Sequence, residues 1–211
     1  MKEKEKPSLV SLGILPIWHD KSWDDFTNDE RAREVIVTYS KKLEAAEKDC
    51  VGYFIYGLPG VGKSMLANIL FKDLVDKSKR VKVISLGGLV DLFTASWSDS
   101  DKREDFRYLV QVVDYLCIED FGKEFYRKDG DGKSFATTIL EDVLVKRLGF
   151  RKITFIVSSI GAGEVSKIYS KNLASLVLET CVPLQVVGKD FRTKIQARLK
   201  GKWQPDKEKL Q

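Results

Sequence analysis

The sequence predicts a three-layer α/β sandwich built round a five-stranded parallel sheet. Three observations carry that expectation. Five strand-length apolar runs alternate with stretches of helical periodicity, a glycine-rich turn directly follows the first run, and 211 residues suffice for one sizeable core but are short for two. Hydrophobic residues make up 43% of the chain and charged residues 32%, with no apolar run of membrane-spanning length, a balance that fits neither a disordered nor a membrane-embedded protein.

At the N-terminus, Met1-Lys2-Glu3-Lys4-Glu5-Lys6 is a charge run and not an apolar leader, so a cytoplasmic location and no membrane partner are expected. Thr27-Asn28-Asp29-Glu30 has the spacing of a capping box, and Ala32, Val35, Ile36, Tyr39, Leu43 and Ala46 then recur at helical intervals. One amphipathic helix is expected there. Residues 51–56 read as the first strand, and Leu66, Ile69, Leu70 and Leu74 return to helical spacing after the glycine turn. Residues 81–86, 115–118, 153–158 and 182–187 read as four more strands. A helix over 135–148 places Ile139, Leu140, Val143 and Leu144 on one face. Right-handed crossovers between such strands make the sheet parallel and cover both its faces. The polar, glycine-containing stretch 123–132 is expected to be a mobile loop.

Cys50, Cys117 and Cys181 are far apart and odd in number, and read as reduced thiols. With His19 the sole histidine, no ligand pair has the close spacing of a structural zinc site. The charge distribution is uneven: residues 189–211 hold eight basic residues against three acidic ones, an excess equal to the net +5 of the whole chain. A basic segment of this kind gains affinity for phosphate-rich partners by releasing counterions, nucleic acid first among them.

The glycine turn is Gly57-Leu58-Pro59-Gly60-Val61-Gly62-Lys63-Ser64. A triphosphate is held by backbone N–H groups aimed inward from a tight loop at a helix N-terminus, and glycine permits that curvature. Gly57, Pro59, Gly60, Val61, Gly62, Lys63, Ser64 and Met65 are therefore the candidate nucleotide-binding residues. In this pattern the lysine neutralises the β- and γ-phosphates and the serine hydroxyl ligates Mg²⁺, which makes ATP or GTP with Mg²⁺ the expected ligand. Hydrolysis further requires an acid near the metal and a carboxylate to orient water. Tyr115-Leu116-Cys117-Ile118-Glu119-Asp120 supplies both after a hydrophobic strand, with Glu119 facing the metal beside Ser64, and Asp120 the water.

These motifs resemble those of the DnaC/DnaI-type helicase loaders and the IstB-type transposition helper ATPases of the AAA+ class. Glu119-Asp120-Phe121-Gly122-Lys123-Glu124 is similar to the family's paired acids, hydrophobic residue, Gly-x-Glu, although the first acid there is usually Asp. The resemblance makes Ser159 the counterpart of an asparagine that contacts the γ-phosphate or the attacking water, Arg147 a candidate for acting in trans on a neighbour's nucleotide, and Arg192, within Gly188-Lys189-Asp190-Phe191-Arg192, a candidate for contacting nucleotide in cis. In Ala174-Ser175-Leu176-Val177-Leu178-Glu179 the family's arginine is replaced by Leu176. The implied fold is an AAA+ P-loop sandwich with little or no C-terminal lid domain. Its organisation is a lead-in segment and amphipathic helix over 1–50 packed on the core, an ATPase core over 51–200, and a basic tail over 201–211. Trp18 and Trp23 in the lead-in read as packing anchors.

The resemblance implies a weak, Mg²⁺-dependent ATPase of DNA replication that binds ATP and ADP, self-associates with nucleotide, and engages single-stranded DNA and a replicative helicase. Its alternatives are a transposition helper acting on duplex DNA and a transposase, and a nucleotide-dependent interaction module that scarcely hydrolyses, suggested by Glu119, Ser159 and Leu176 together. A nucleotide kinase fits less well, because the 123–132 loop holds too few arginines for a lid.

Overall fold

The computed structural model describes residues 7–122 and 135–203. The loop expected over 123–132, and most of the basic tail, lie outside the described residues. A lead-in with two 3-10 turns, Pro16–Trp18 and Trp23–Asp25, precedes helices α1 (Glu30–Lys41) and α2 (Leu43–Asp49). There follow β1 (Gly52–Tyr56), α3 (Lys63–Asp76), β2 (Val81–Ser85), α4 (Leu86–Ala95), α5 (Ser100–Gln111) and β3 (Tyr115–Phe121). The chain continues through α6 (Phe135–Gly149), β4 (Ile153–Ser158), the short α7 (Val165–Ile168), α8 (Lys171–Thr180), β5 (Cys181–Gln185) and α9 (Phe191–Trp203).

The five strands form one wholly parallel sheet in the order β2-β3-β4-β1-β5, as the alternation of elements requires. Each face buries its own apolar cluster. Ala32 and Ile36 of α1 and Leu66, Leu70, Phe71 and Leu74 of α3 cover one face, against Ile55, Phe155 and Leu184. Leu86, Leu109, Leu140, Leu144, Leu173 and Val177 from α4, α5, α6 and α8 cover the other, against Phe54, Leu116, Ile118 and Ile156. The edges are managed differently. The lead-in shields β2, with Val83 N–H donating to Leu12 O at 2.8 Å, whereas β5 is blunted by Pro183, which cannot donate to an added strand.

Two expectations for the N-terminal region are corrected. Asp29, not Thr27, caps α1: its Oδ1 accepts from Ala32 N at 2.9 Å, and its Oδ2 from Val187 N at 2.9 Å, 158 residues away. Thr27 is exposed. The helix is also two helices, broken at Lys42 (φ −115°, ψ 36°), although the apolar spacing runs on through Leu43 and Ala46. A continuous helix over residues 30–49 would reach about 30 Å. The neighbouring five-residue β1 spans only about 17 Å, so the chain must turn back to enter it. Trp18 and Trp23 pack, half-buried, against the α1/α3 cluster, and the Lys72 ammonium on α3 ties the lead-in down by donating to Trp18 O (3.0 Å), His19 O (2.6 Å) and Lys21 O.

The three cysteines are free and buried. Burial pushes the Cys117 thiol well above its ordinary value and the Cys181 thiol up to about 12, so both are protonated core side chains.

Candidate nucleotide-binding site

Ligands of open parallel sheets bind beyond the carboxyl ends of the strands, and the sequence-predicted residues gather there, with one exception. At the end of β1 the chain turns through Gly60 (φ 77°) and Gly62 (φ 103°) and enters α3 at Lys63. Both glycines are required by φ, and both stand close to a neighbouring side chain. A Cβ on Gly60 would lie 1.7 Å from Asp190 Oδ1, and one on Gly62 would lie 2.9 Å from the Phe26 ring. Val61 is buried and anchors the loop, while Leu58 and Pro59 are exposed. Lys63 Nζ lies over the loop and donates to Gly57 O and Leu58 O at 2.8 Å each. Ser64 and Met65 sit in the first turn of α3, where N–H groups lack helical partners and the dipole favours an anion.

β3 is longer than its apolar run, because it carries both acids before ending at Phe121. Between Ile118 and Phe121 its register against β4 shifts in a bulge, and within it Asp120 adopts φ 59°, a left-handed conformation that Asp tolerates better than most residues. The bulge breaks the in-out alternation and leaves Asp120 exposed and Glu119 half-buried. Glu119 Oε1 accepts from Asn68 Nδ2 at 3.0 Å. β4 lies between β3 and β1, so Ser159, just past its end and half-buried, stands between the acid pair and the P-loop. Ser158 fixes that corner, donating to Phe121 O at 3.1 Å and accepting from Ile160 N at 3.0 Å.

A third segment closes on the loop from the far side. Asn28 Nδ2 donates to Val61 O (3.0 Å) and Lys189 O (2.8 Å), and its Oδ1 accepts from Lys189 N (3.1 Å). One amide thus binds the lead-in, the P-loop and the segment after β5. Phe191 N donates to Gly60 O at 3.0 Å, and Asp190 Oδ1 accepts from Arg192 N at 2.8 Å. Helix α9 therefore begins on the P-loop, with the exposed Arg192 in its first turn. Asn28, Asp29 and Asp190 tie the segments round the site together and Asn68 braces Glu119, four supporting residues that sequence reading missed. For Asn68 one signal was available, a polar residue among buried apolar neighbours from Leu66 to Phe71.

Arg147 is the exception, and its proposed action in trans is corrected. It is 0% exposed at the opposite, amino-terminal ends of the strands. Its guanidinium donates to Leu109 O (2.6 Å), Val113 O (3.1 Å), Asp114 O (3.4 Å), Ile153 O (2.6 Å) and Thr154 Oγ1 (3.0 Å). Burial pulls its pKa down to about 9, with the Asp114 charge acting the other way, so it remains protonated at neutral pH. A cation so enclosed joins α5, the turn before β3, α6 and β4, and does not reach a neighbouring molecule. Leu176, where the resembled families place an arginine, packs half-buried against the α4/α6/α8 core.

No protein-family model and no curated protein matches the chain. Solved structures do. The chain superposes on a DnaC helicase loader with a TM-score of 0.69 at 17% identity, over 82% of this chain and 100% of that one. For DnaI the TM-score is 0.63 at 16% identity, over 81% and 90%. For the replication initiator DnaA bound to AMPPCP and single-stranded DNA it is 0.65 at 18% identity, over 92% of this chain but 58% of that one. The chain thus shares with these structures the α/β fold expected of it, built round a five-stranded parallel sheet.

Proposed function

We propose that the protein is an ATP-binding AAA+ ATPase of the helicase-loader type, working as a nucleotide-dependent switch with weak hydrolysis. The observation that carries this reading is the convergence of three segments at the carboxyl ends of the strands: the P-loop, the β3 acids, and the start of α9 joined to the loop through Gly60 and Asn28. The glycine curvature and the α3 N-terminus suit a polyphosphate, with backbone N–H groups as the cradle and Lys63 leaving its own loop carbonyls for the β- and γ-phosphates. The Ser64 hydroxyl and the Glu119 carboxylate are a donor set that fits Mg²⁺, which takes one or two protein oxygens and completes its shell with phosphates and water, and Asn68 links the two residues through the Ser64 backbone carbonyl and Glu119 Oε1. When bound, Mg²⁺ supplies charge neutralisation between the phosphates. Asp120 orients the attacking water, Ser159 reaches toward the γ-phosphate, and Arg192 contacts the nucleotide in cis.

Weak turnover follows from what surrounds that cradle. An arginine supplied in trans is worth roughly 10³-fold or more in related phosphoryl transfers. Leu176 offers none and Arg147 is enclosed. Occupancy is then the signal, and α9, which starts on the P-loop and carries Arg192, Lys194, Arg198, Lys200 and Lys202 without an acid, conveys it toward polyanions. The likeness to DnaC and DnaI over most of both chains supports single-stranded DNA and a replicative helicase as partners, and nucleotide-driven self-association.

Sedimentation of the protein with ATP and Mg²⁺, with and without a short single-stranded DNA, tests these claims together. A nucleotide-dependent rise in mass and DNA binding that weakens with salt are expected. A monomer with no DNA affinity under all conditions overturns the loader reading, and preference for duplex DNA shifts it to a transposition helper.

A further inference from the structure

Asn68 is an odd residue for its place. It lies on α3 one turn beyond Ser64, is 1% exposed, and is flanked by the buried Leu66, Ala67, Ile69 and Leu70. Its Nδ2 donates to Ser64 O at 2.7 Å and to Glu119 Oε1 at 3.0 Å. Two oxygen acceptors on one side fix the amide orientation, since the flipped amide would set its carbonyl oxygen against both. The consequence is that Asn68 Oδ1 is buried with no hydrogen-bond partner. An orphaned buried acceptor costs about 1–3 kcal/mol, a cost that an alanine or leucine in the same helix would avoid. Packing therefore does not account for the amide, whereas its two donated bonds do.

Those bonds join the backbone of one proposed metal ligand, Ser64, to the carboxylate of the other, Glu119. Glutamate has one more rotatable bond than aspartate, and a carboxylate at the end of a longer side chain reaches a fixed point less reliably unless something holds it. We propose that Asn68 is a positioning residue that presets the Glu119 carboxylate for the nucleotide-bound divalent cation and offsets the extra methylene. The proposal rests on the nucleotide reading above. It assigns to α3, the helix that begins with Lys63 and Ser64, a hold on the β3 acid across the site.

The test is a Mg²⁺ titration of fluorescent-ATP binding in four proteins: wild type, Asn68→Ala, Glu119→Asp and the double variant. Loss of a group that orients a metal ligand weakens metal affinity roughly 10- to 100-fold, so Asn68→Ala should raise the Mg²⁺ midpoint by about tenfold while changing metal-free nucleotide affinity by less than about twofold. In the Glu119→Asp background, where the shorter carboxylate is out of reach of the amide, the same substitution should add less than about twofold. Thermal melting without metal checks that each variant is folded, with Asn68→Leu as a second variant that fills the space. Equal Mg²⁺ shifts in both backgrounds, or an equal loss of metal-free binding, would mean that Asn68 merely supports the fold. A wild-type protein that binds no nucleotide removes the functional reading and this one with it; nucleotide binding with identical Mg²⁺ midpoints in wild type and Asn68→Ala removes this one alone.

Discussion

Replacing Arg147 by alanine separates a structural cation from one that acts on a neighbouring subunit. The guanidinium is wholly buried and gives five hydrogen bonds, of which those to Leu109 O and Ile153 O are 2.6 Å long. Truncation leaves a void on the order of 80–100 Å³, and at about 24 cal/mol per Å³ that costs about 2 kcal/mol. It also strips buried acceptors, at about 1–3 kcal/mol each when nothing replaces the donor. Against this, the variant escapes the penalty of burying a charge, which the fall of the Arg147 pKa to about 9 reports. Because these contributions share one site and do not add, a net loss of about 4 kcal/mol is expected. Urea unfolding followed by circular dichroism measures it, and Arg147→Met, which keeps much of the volume, should recover part of the loss. An Arg147→Ala protein with an unchanged unfolding midpoint that nevertheless lost nucleotide-dependent assembly or turnover would show that Arg147 acts on a neighbouring subunit and does not hold the fold.

Two further substitutions probe the links around the site. Asp29→Ala removes a helix cap and the acceptor for Val187 N, and should cost about 2 kcal/mol in chemical unfolding, together with weaker nucleotide binding as the segment after β5 loosens from the P-loop; a loss below about 0.5 kcal/mol would contradict the clasp. Burial alone would raise the Asp114 carboxyl, but hydrogen bonds from Arg80 and Lys152 outweigh it and hold the pKa at about 2, against an ordinary value of 3.8. A depressed carboxyl pKa stabilises the fold above the unfolded value, and that contribution disappears as pH falls from about 4 to about 2. Asp114→Asn should therefore be less stable than wild type at pH 7, on the order of 1 kcal/mol after solvent screening, with the gap closing by about pH 2. A gap that stays constant across that range would show that the charge is not what matters.

What the sequence made legible, and what it did not, divides along physical lines. The strands were readable because a parallel strand buried on both faces is a short, continuous apolar run, and the P-loop because its glycines and lysine stand at fixed local spacing. The extension of β3 through Glu119 and Asp120 was not, since charged residues in a bulge look like a strand that has ended. Asp29 competed with a well-formed Thr27-x-x-Glu30 pattern and won through a bond to Val187, a partner no local window contains. Likewise, Asn28 joins residues 33 and 161 positions away. Arg147 sits in the last turn of α6, where a basic side chain ordinarily faces water and the helix dipole. Only the tertiary packing places carbonyls from Leu109, Val113, Asp114 and Ile153 around it.

Whether Lys63 and the loop before it hold ATP is read from titration calorimetry of the wild-type protein and Lys63→Ala with ATP in the presence of Mg²⁺. Saturable binding to the wild type with one nucleotide per chain is expected, and a loss of affinity of about 10- to 100-fold in the variant, the worth of a charge-assisted contact to phosphate. Equal affinities in the two proteins, or no heat of binding from the wild type, would contradict nucleotide binding through Lys63.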